Sequence, residues 1–159
     1  MIFNDITLAR AIHVLALVHW FGGVAAVTTI ILPKARAMAN PKDAIEAFEA
    51  FERPFAQQVR VSVFLVGLSG VYLLAKYDAW NRFQHVSFWW LHLMVLIWIA
   101  FATMVFVLEP LAVHRAFHDF ALKQKEFAFR LAILLHTIAL FVSALAIIAG
   151  VFGAHGGLP

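Results

Sequence analysis

Four apolar segments alternate with charged stretches along the chain. The first, Ala11–Leu32, is apolar for 22 residues but contains His13, His19 and the pair Gly22–Gly23. A helix rises about 1.5 Å per residue, so this run can cross a hydrocarbon core of about 30 Å. Pro33, Lys34 and Arg36 follow and predict its exit. The second uncharged run, Val61–Ala75, is only 15 residues long, between Arg60 and Lys76. It spans only if those two cations snorkel and the helix extends into its flanks. The third opens on Phe88–Trp89–Trp90–Leu91–His92, an interfacial aromatic pattern, and is predicted to end at Glu109–Pro110. The fourth runs from about Phe127 to Val151. The pattern predicts one domain over residues 1–159, all-α, an integral membrane four-helix bundle with helices at about 8–32, 58–77, 86–108 and 127–151. The short polar connector Asp78–His85 makes the second and third helices antiparallel neighbours.

The intervening stretches carry their own patterns. Asn40–Pro41 has the form of an N-cap followed by a first-turn proline. Ile45, Phe48, Phe51 and Phe55 then recur among Glu46, Glu49, Glu52 and Arg53. This is a short amphipathic helix in the first loop, on the membrane surface or capping the bundle; a water-exposed hairpin is the alternative. Residues 111–126 form a second charged loop. Its His114 and His118 are a candidate divalent-ion pair that lacks a third ligand in sequence. Gly22 with Ala26, and Gly67 with Gly70, give thin helix faces. Thr28 and Thr29 can bond back to their own helix. His136, Ser143 and Gly150 repeat every seven residues, a stripe expected to face the interior. The tail 153–159 is expected to be irregular.

Composition moves the chain out of the soluble class. It is 64% hydrophobic and 13% charged, with a mean hydropathy of +0.87, against about 45–50% and 25% in soluble domains. The absence of cysteine excludes disulfides, thiolate metal sites and covalently attached haem. A net charge of +3 would suggest nucleic acid in a soluble protein. Here the basic residues flank the spans, so topology accounts for them and nucleic acid is not an expected partner. Nine Lys and Arg lie beside the loops after helices one and three, and three lie on the opposite side. That asymmetry predicts cytoplasmic long loops and both termini periplasmic, in a bacterial inner membrane. No cleavable signal peptide is expected, because Met1–Arg10 lacks a basic lead-in. The lipid bilayer is the expected surrounding, and a homo-oligomer stays open.

Ionisable groups at membrane depth usually mark a site. Counted from the terminal side, His13 and His92 each lie about five residues into their helices. His19 lies six residues deeper, and His136 about fourteen residues before the end of helix four. Depth therefore pairs His13 with His92 and His19 with His136. His13 and His19 point about 120° apart with a vertical offset of about 9 Å. Imidazoles from facing helices commonly hold haem iron, so these four are candidate metal ligands for one or two haem b groups. Trp20, Phe21, Gly22, Gly23, Phe101 and Phe141 are candidate walls. The bland alternative makes each histidine an interhelical hydrogen-bonding residue. His85 and His155 read as solvated. No nucleophile–base pair and no intramembrane carboxylate for a proton relay stands out, Glu109 lying at a helix end.

His13 followed by Trp20–Phe21–Gly22–Gly23 resembles the first helix of the copper-resistance D (CopD) family and the related HemJ-type protoporphyrinogen oxidases. Trp90–Leu91–His92 is similar to the start of the third HemJ-type helix, and Ile31–Leu32–Pro33 to the CopD pattern. The resemblance implies a four-helix membrane unit in which His13 and His92 are associated with haem b. Where the HemJ type carries a lysine two residues after that histidine, this chain has Met94. In the CopD family the implied cargo is copper, with Met94 and Met104 as added ligands. The leading expectation is a haem b membrane redox protein, a candidate oxidoreductase. It would carry electrons from a membrane donor such as quinol to an acceptor or redox partner protein. Copper transport, porphyrin-precursor oxidation and a purely structural anchor are the alternatives.

Overall fold

The computed structural model describes residues 4–155, without the side chains of 112–115. Four of its helices are long and apolar enough to cross a membrane: α1 (Asp5–Ala37), α2 (Pro41–Lys76), α3 (Val86–Leu111) and α5 (Lys125–Ala154). A shorter helix, α4 (His114–Lys123), joins α3 to α5. Helix α1 packs mainly on α2, and α3 on α5. Contacts of α2 with α3 and of α1 with α5 close the ring, so α1 and α3 face each other across the diagonal. The chain is thus an all-α four-helix bundle of the membrane class.

Much of the apolar surface points outward. Leu15 is 70% exposed and Phe141 71%, both in the middle of a span. A water-soluble bundle would bury such residues; a bilayer solvates them. Phe141, expected on a cofactor wall, therefore belongs to the lipid face.

Every span is longer than its apolar run predicts. Asn4 caps α1, its side chain accepting from the Ile6 and Thr7 amides at 3.1 and 3.3 Å. At the other end, Pro33 does not end the helix. It lacks an N–H, and its ring would crowd the Thr29 carbonyl. The backbone accommodates it by a π-turn over Val27–Ile31, in which the Leu32 amide reaches back to the Val27 carbonyl. Thr28 and Thr29 donate to the Val24 and Ala25 carbonyls at 2.7 and 2.8 Å. A second π-helical stretch, Met104–Val113, carries α3 past Pro110 in the same way. The amphipathic stretch after Asn40 is helical, and it continues through exposed Pro54 into the second span as one 36-residue helix. The last span runs on to Ala154, and residues 156–159 of the expected irregular tail lie outside the described residues.

Helix α2 is about 54 Å long at the helical rise, well beyond the bilayer core. Its surplus builds a second core on the side away from the termini. Val27, Leu32, Ala35, Ala44, Ile45, Phe48, Ala121, Ala128 and Phe129 are buried together there. Phe48, Phe117 and Phe129 pack against one another with centroids 5.3–6.2 Å apart. Arg36 pairs with Glu126, which also takes Arg130 at 2.9 Å, and Lys125 caps the Arg36 and Met38 carbonyls. At the terminal end Asp5 pairs with Lys76 at 2.7 Å and accepts from the Tyr72 hydroxyl at 2.7 Å, while Arg10 donates to the Tyr77 hydroxyl. Charged pairs of this kind mark the two polar boundaries of the bundle.

Candidate functional site

Between those boundaries α1 and α2 form a polar ladder. His13 Nδ1 meets Ser69 Oγ at 2.9 Å, and His19 Nδ1 meets Ser62 Oγ at 2.8 Å. The serines are seven residues apart, so both project from the same face of α2 toward α1. Each histidine nevertheless sits in a different network.

The Ser69 hydroxyl is already committed to the Leu65 carbonyl at 2.5 Å, with the Val66 carbonyl at 3.2 Å. Toward His13 it can only accept, so the network puts the imidazole proton on Nδ1. Among the described residues Nε2 makes no hydrogen bond, and in this tautomer it keeps its lone pair; the Val66 carbonyl also lies beside the ring. His136 is held in the same tautomer, its Nδ1 donating to the Ala132 carbonyl at 2.9 Å. Metal-binding histidines are oriented in this way, with the far nitrogen protonated and tied to an acceptor.

His19 and His92 are occupied differently. Ser62 has no backbone acceptor among the described residues, so its hydroxyl is free to donate to His19 Nδ1. The protonated Nε2 then faces Gln58 Oε1 at 3.3 Å. His92 holds both nitrogens against carbonyls, Phe88 at 3.0 Å and Phe83 at 3.1 Å, with Phe83 edge-on to the ring. It fastens the connector to the start of α3, and each nitrogen faces a backbone carbonyl.

The depth pairings are not assembled. No hydrogen bond or ring contact joins any two of His13, His19, His92 and His136 among the described residues. His13 faces α2, while His92 is exposed and lies across the diagonal. The Arg36–Glu126 bridge sets the register of α1 against α5. Counting ten residues up each helix brings His136 level with Ala26, seven residues or about 10 Å from His19.

Trp20 lies on the face of α1 that carries His13, seven residues away, with Ala16 between them. All but 4% of it is buried, edge-on to Phe101 at 4.5 Å, and its indole N–H has no acceptor. The adjacent glycines have separate roles. A Cβ on Gly23 would fall 1.6 Å from the Phe55 ring, so Gly23 seats that ring and is not an open cofactor wall. Gly22 is exposed, and a Cβ there meets nothing within 4 Å. Three further seats dock α3: Trp98 on Gly67, Met94 on Gly150 and Trp90 on Gly153. Trp98 also donates to the Val63 carbonyl at 2.8 Å, which bare Gly67 leaves reachable. Met94, named above as a copper ligand, thus has its sulfur in a packing seat.

Two features escaped the sequence reading. Arg60 pairs with Glu109 at 3.0 Å, and its Nε meets the Val105 carbonyl at 3.3 Å. The signal was available: each charge closes the apolar run of its own helix on the same side of the membrane. The other is the set of glycine seats, whose occupants come from other helices. His114 lies outside the described side chains, so its pairing with His118 is not described.

Among the described residues no three His, Asp or Glu side chains converge as a metal site would need. A bare metal ion asks the protein for three or four ligands. Porphyrin iron asks for one or two, and a lone free imidazole meets that demand. The chain matches no family model, no curated protein and no solved structure.

Proposed function

We propose that this protein is a haem b-binding membrane redox protein of the CopD/HemJ kind, with His13 as the leading axial ligand. One observation carries the reading. Just inside the terminal boundary the His13 imidazole is oriented by Ser69, with its Nδ1 proton engaged and its Nε2 lone pair making no hydrogen bond among the described residues. Haem would supply one-electron chemistry, carrying electrons from a membrane donor such as a quinol to an acceptor. The chain's own residues do the rest. Ser69 holds the ligand tautomer, and Trp20 offers a buried N–H to an acceptor group. The lipid-facing side chains around them keep water away, which tunes the potential. His136 is the second candidate ligand, and His19 and His92 are reassigned to hydrogen bonding. The excess of Lys and Arg beside the α1–α2 and α3–α5 connections supports cytoplasmic placement of that side, with the termini opposite.

The test is a reduced-minus-oxidised spectrum of the purified protein, with a pyridine haemochrome assay for stoichiometry. A Soret band with reduced α-bands is expected from the parent chain. His13→Ala should lose the cofactor and His92→Ala should retain it. A colourless parent protein, expressed with haem in supply, would sink the proposal.

A further inference from the structure

The flank where α1 meets α2 carries polar groups that face lipid. His19 and Gln58 are both exposed; His19 lies within the first apolar run, and Gln58 two residues beyond Arg60, at the edge of the second. His19 is nine residues beyond Arg10, whose contact with Tyr77 marks the terminal boundary. That places it about 13 Å from the terminal boundary, level with the point where the second apolar run closes at Arg60. A histidine inside an apolar run is costly unless it serves a ligand or an interior partner.

The pair closes on itself poorly. The His19 Nε2 to Gln58 Oε1 distance is 3.3 Å, against about 2.9–3.0 Å for a well-made N–H···O bond. Ser62 holds Nδ1 from behind at 2.8 Å and so directs the Nε2 proton outward. A carbonyl oxygen arriving from the lipid would accept from Nε2–H and from the Gln58 amide once that amide rotates. Beside the pair is a notch. Gly22, one turn from His19, is exposed with nothing within 4 Å of a Cβ position. Phe55 forms an aromatic wall, its centroid 6.2 Å from the His19 ring and 5.6 Å from Phe51, with which it stacks.

We infer that the His19–Gln58 pair and the Gly22 notch bind the headgroup of a membrane-borne 1,4-quinone. The ligand must be lipid-soluble, because the site opens to hydrocarbon. It must present an acceptor oxygen, because the site presents donors. A flat ring suits the glycine notch and the phenylalanine wall. The inference deepens the redox reading by giving the membrane donor a seat, and it rests on that reading for its purpose but not for the binding itself.

The experiment is photolabelling of the full chain in lipid nanodiscs with an azido-ubiquinone analogue, followed by peptide mapping. Label is expected on the segments around residues 18–26 and 51–62, competed by decylubiquinone. Gly22→Phe fills the notch from a position with room for a side chain, so it should cut labelling at least tenfold with the helical circular dichroism unchanged. His19→Leu should do the same, while Gly22→Ala should keep most of the labelling. Label spread evenly over lipid-facing α5, or undiminished in Gly22→Phe, would overturn the inference. So would a disulfide-linked dimer of Gly22→Cys in untreated membranes, since the chain has no other cysteine and a second copy would then cover the face. The Soret band of the same samples separates the two readings: full haem without site labelling defeats this inference alone, and specific labelling of a colourless protein defeats the haem reading alone.

Discussion

The two halves of the bundle are held together by different means. On the basic side, α1, α2, α4 and α5 enclose a core with Leu32, Ile45 and Phe129 essentially out of contact with solvent. It resembles the interior of a soluble protein: large side chains inside, ion pairs at the rim. In the spanning half, most large apolar residues face outward, and the helices meet through glycine seats and histidine–serine bonds. The physical cause is the solvent. Water drives apolar groups together at the basic end. Lipid gives them no reason to associate, so close packing and polar contacts must join the helices. Polar groups in that half have few competing partners, which is why the histidines and serines there bond to one another.

The largest effect should come from the basic-side core. Phe129→Ala removes a fully buried ring and should cost about 3–5 kcal/mol, read by denaturation of the detergent-solubilised protein followed through tryptophan fluorescence. A loss under about 1 kcal/mol would mean that this end is not packed like a soluble core. Next come the glycine seats. Gly67→Ala places a Cβ 2.4 Å from Trp98, and Gly23→Ala places one inside the Phe55 ring; overpacking of this kind costs about 1–3 kcal/mol. The sharper form sets neighbours against each other. Gly22→Ala should be neutral or stabilising by up to about 1 kcal/mol, since Ala is the better helix former and the space is open. Equal effects at positions 22 and 23 would refute the seating of Phe55.

Smaller still is the polar ladder. Ser69→Ala should cost about 0.5–1 kcal/mol of stability, yet it should lower haem retention or shift the potential more than Ser62→Ala does, because Ser69 orients the free imidazole and Ser62 the occupied one. Identical spectra and potentials for the two variants would remove the distinction between His13 and His19. The smallest stability change is expected for Glu126→Gln. Its partners Arg36 and Arg130 are substantially exposed, and water replaces such pairs readily.

Much of the fold was legible because hydropathy is a local property. Four apolar runs, the N-cap at Asn40, the back-bonding of Thr28 and Thr29 and the amphipathic stretch through Phe55 each depend on residues close in sequence. The site was legible only as a set of unusual residues. Histidine at membrane depth is visible in the chain, but its partners are not. Met94 and Trp90 were open to reading as ligand and belt until the glycines of α5 received them.

By itself, then, the sequence determined the class of the protein, the number of spans and the presence of polar groups among them, since the transfer of side chains to lipid adds up residue by residue. The tertiary structure decided register and partnership. Helix α1 passes Pro33 by a π-turn, and the Arg36–Glu126 bridge beyond it sets His136 about 10 Å from the level of His19. Whether a histidine keeps its lone pair depends on what a serine on another helix has already bonded. No one-dimensional pattern encodes that, because the decision is made by atoms 43 and 56 residues apart in sequence and under 3 Å apart in space.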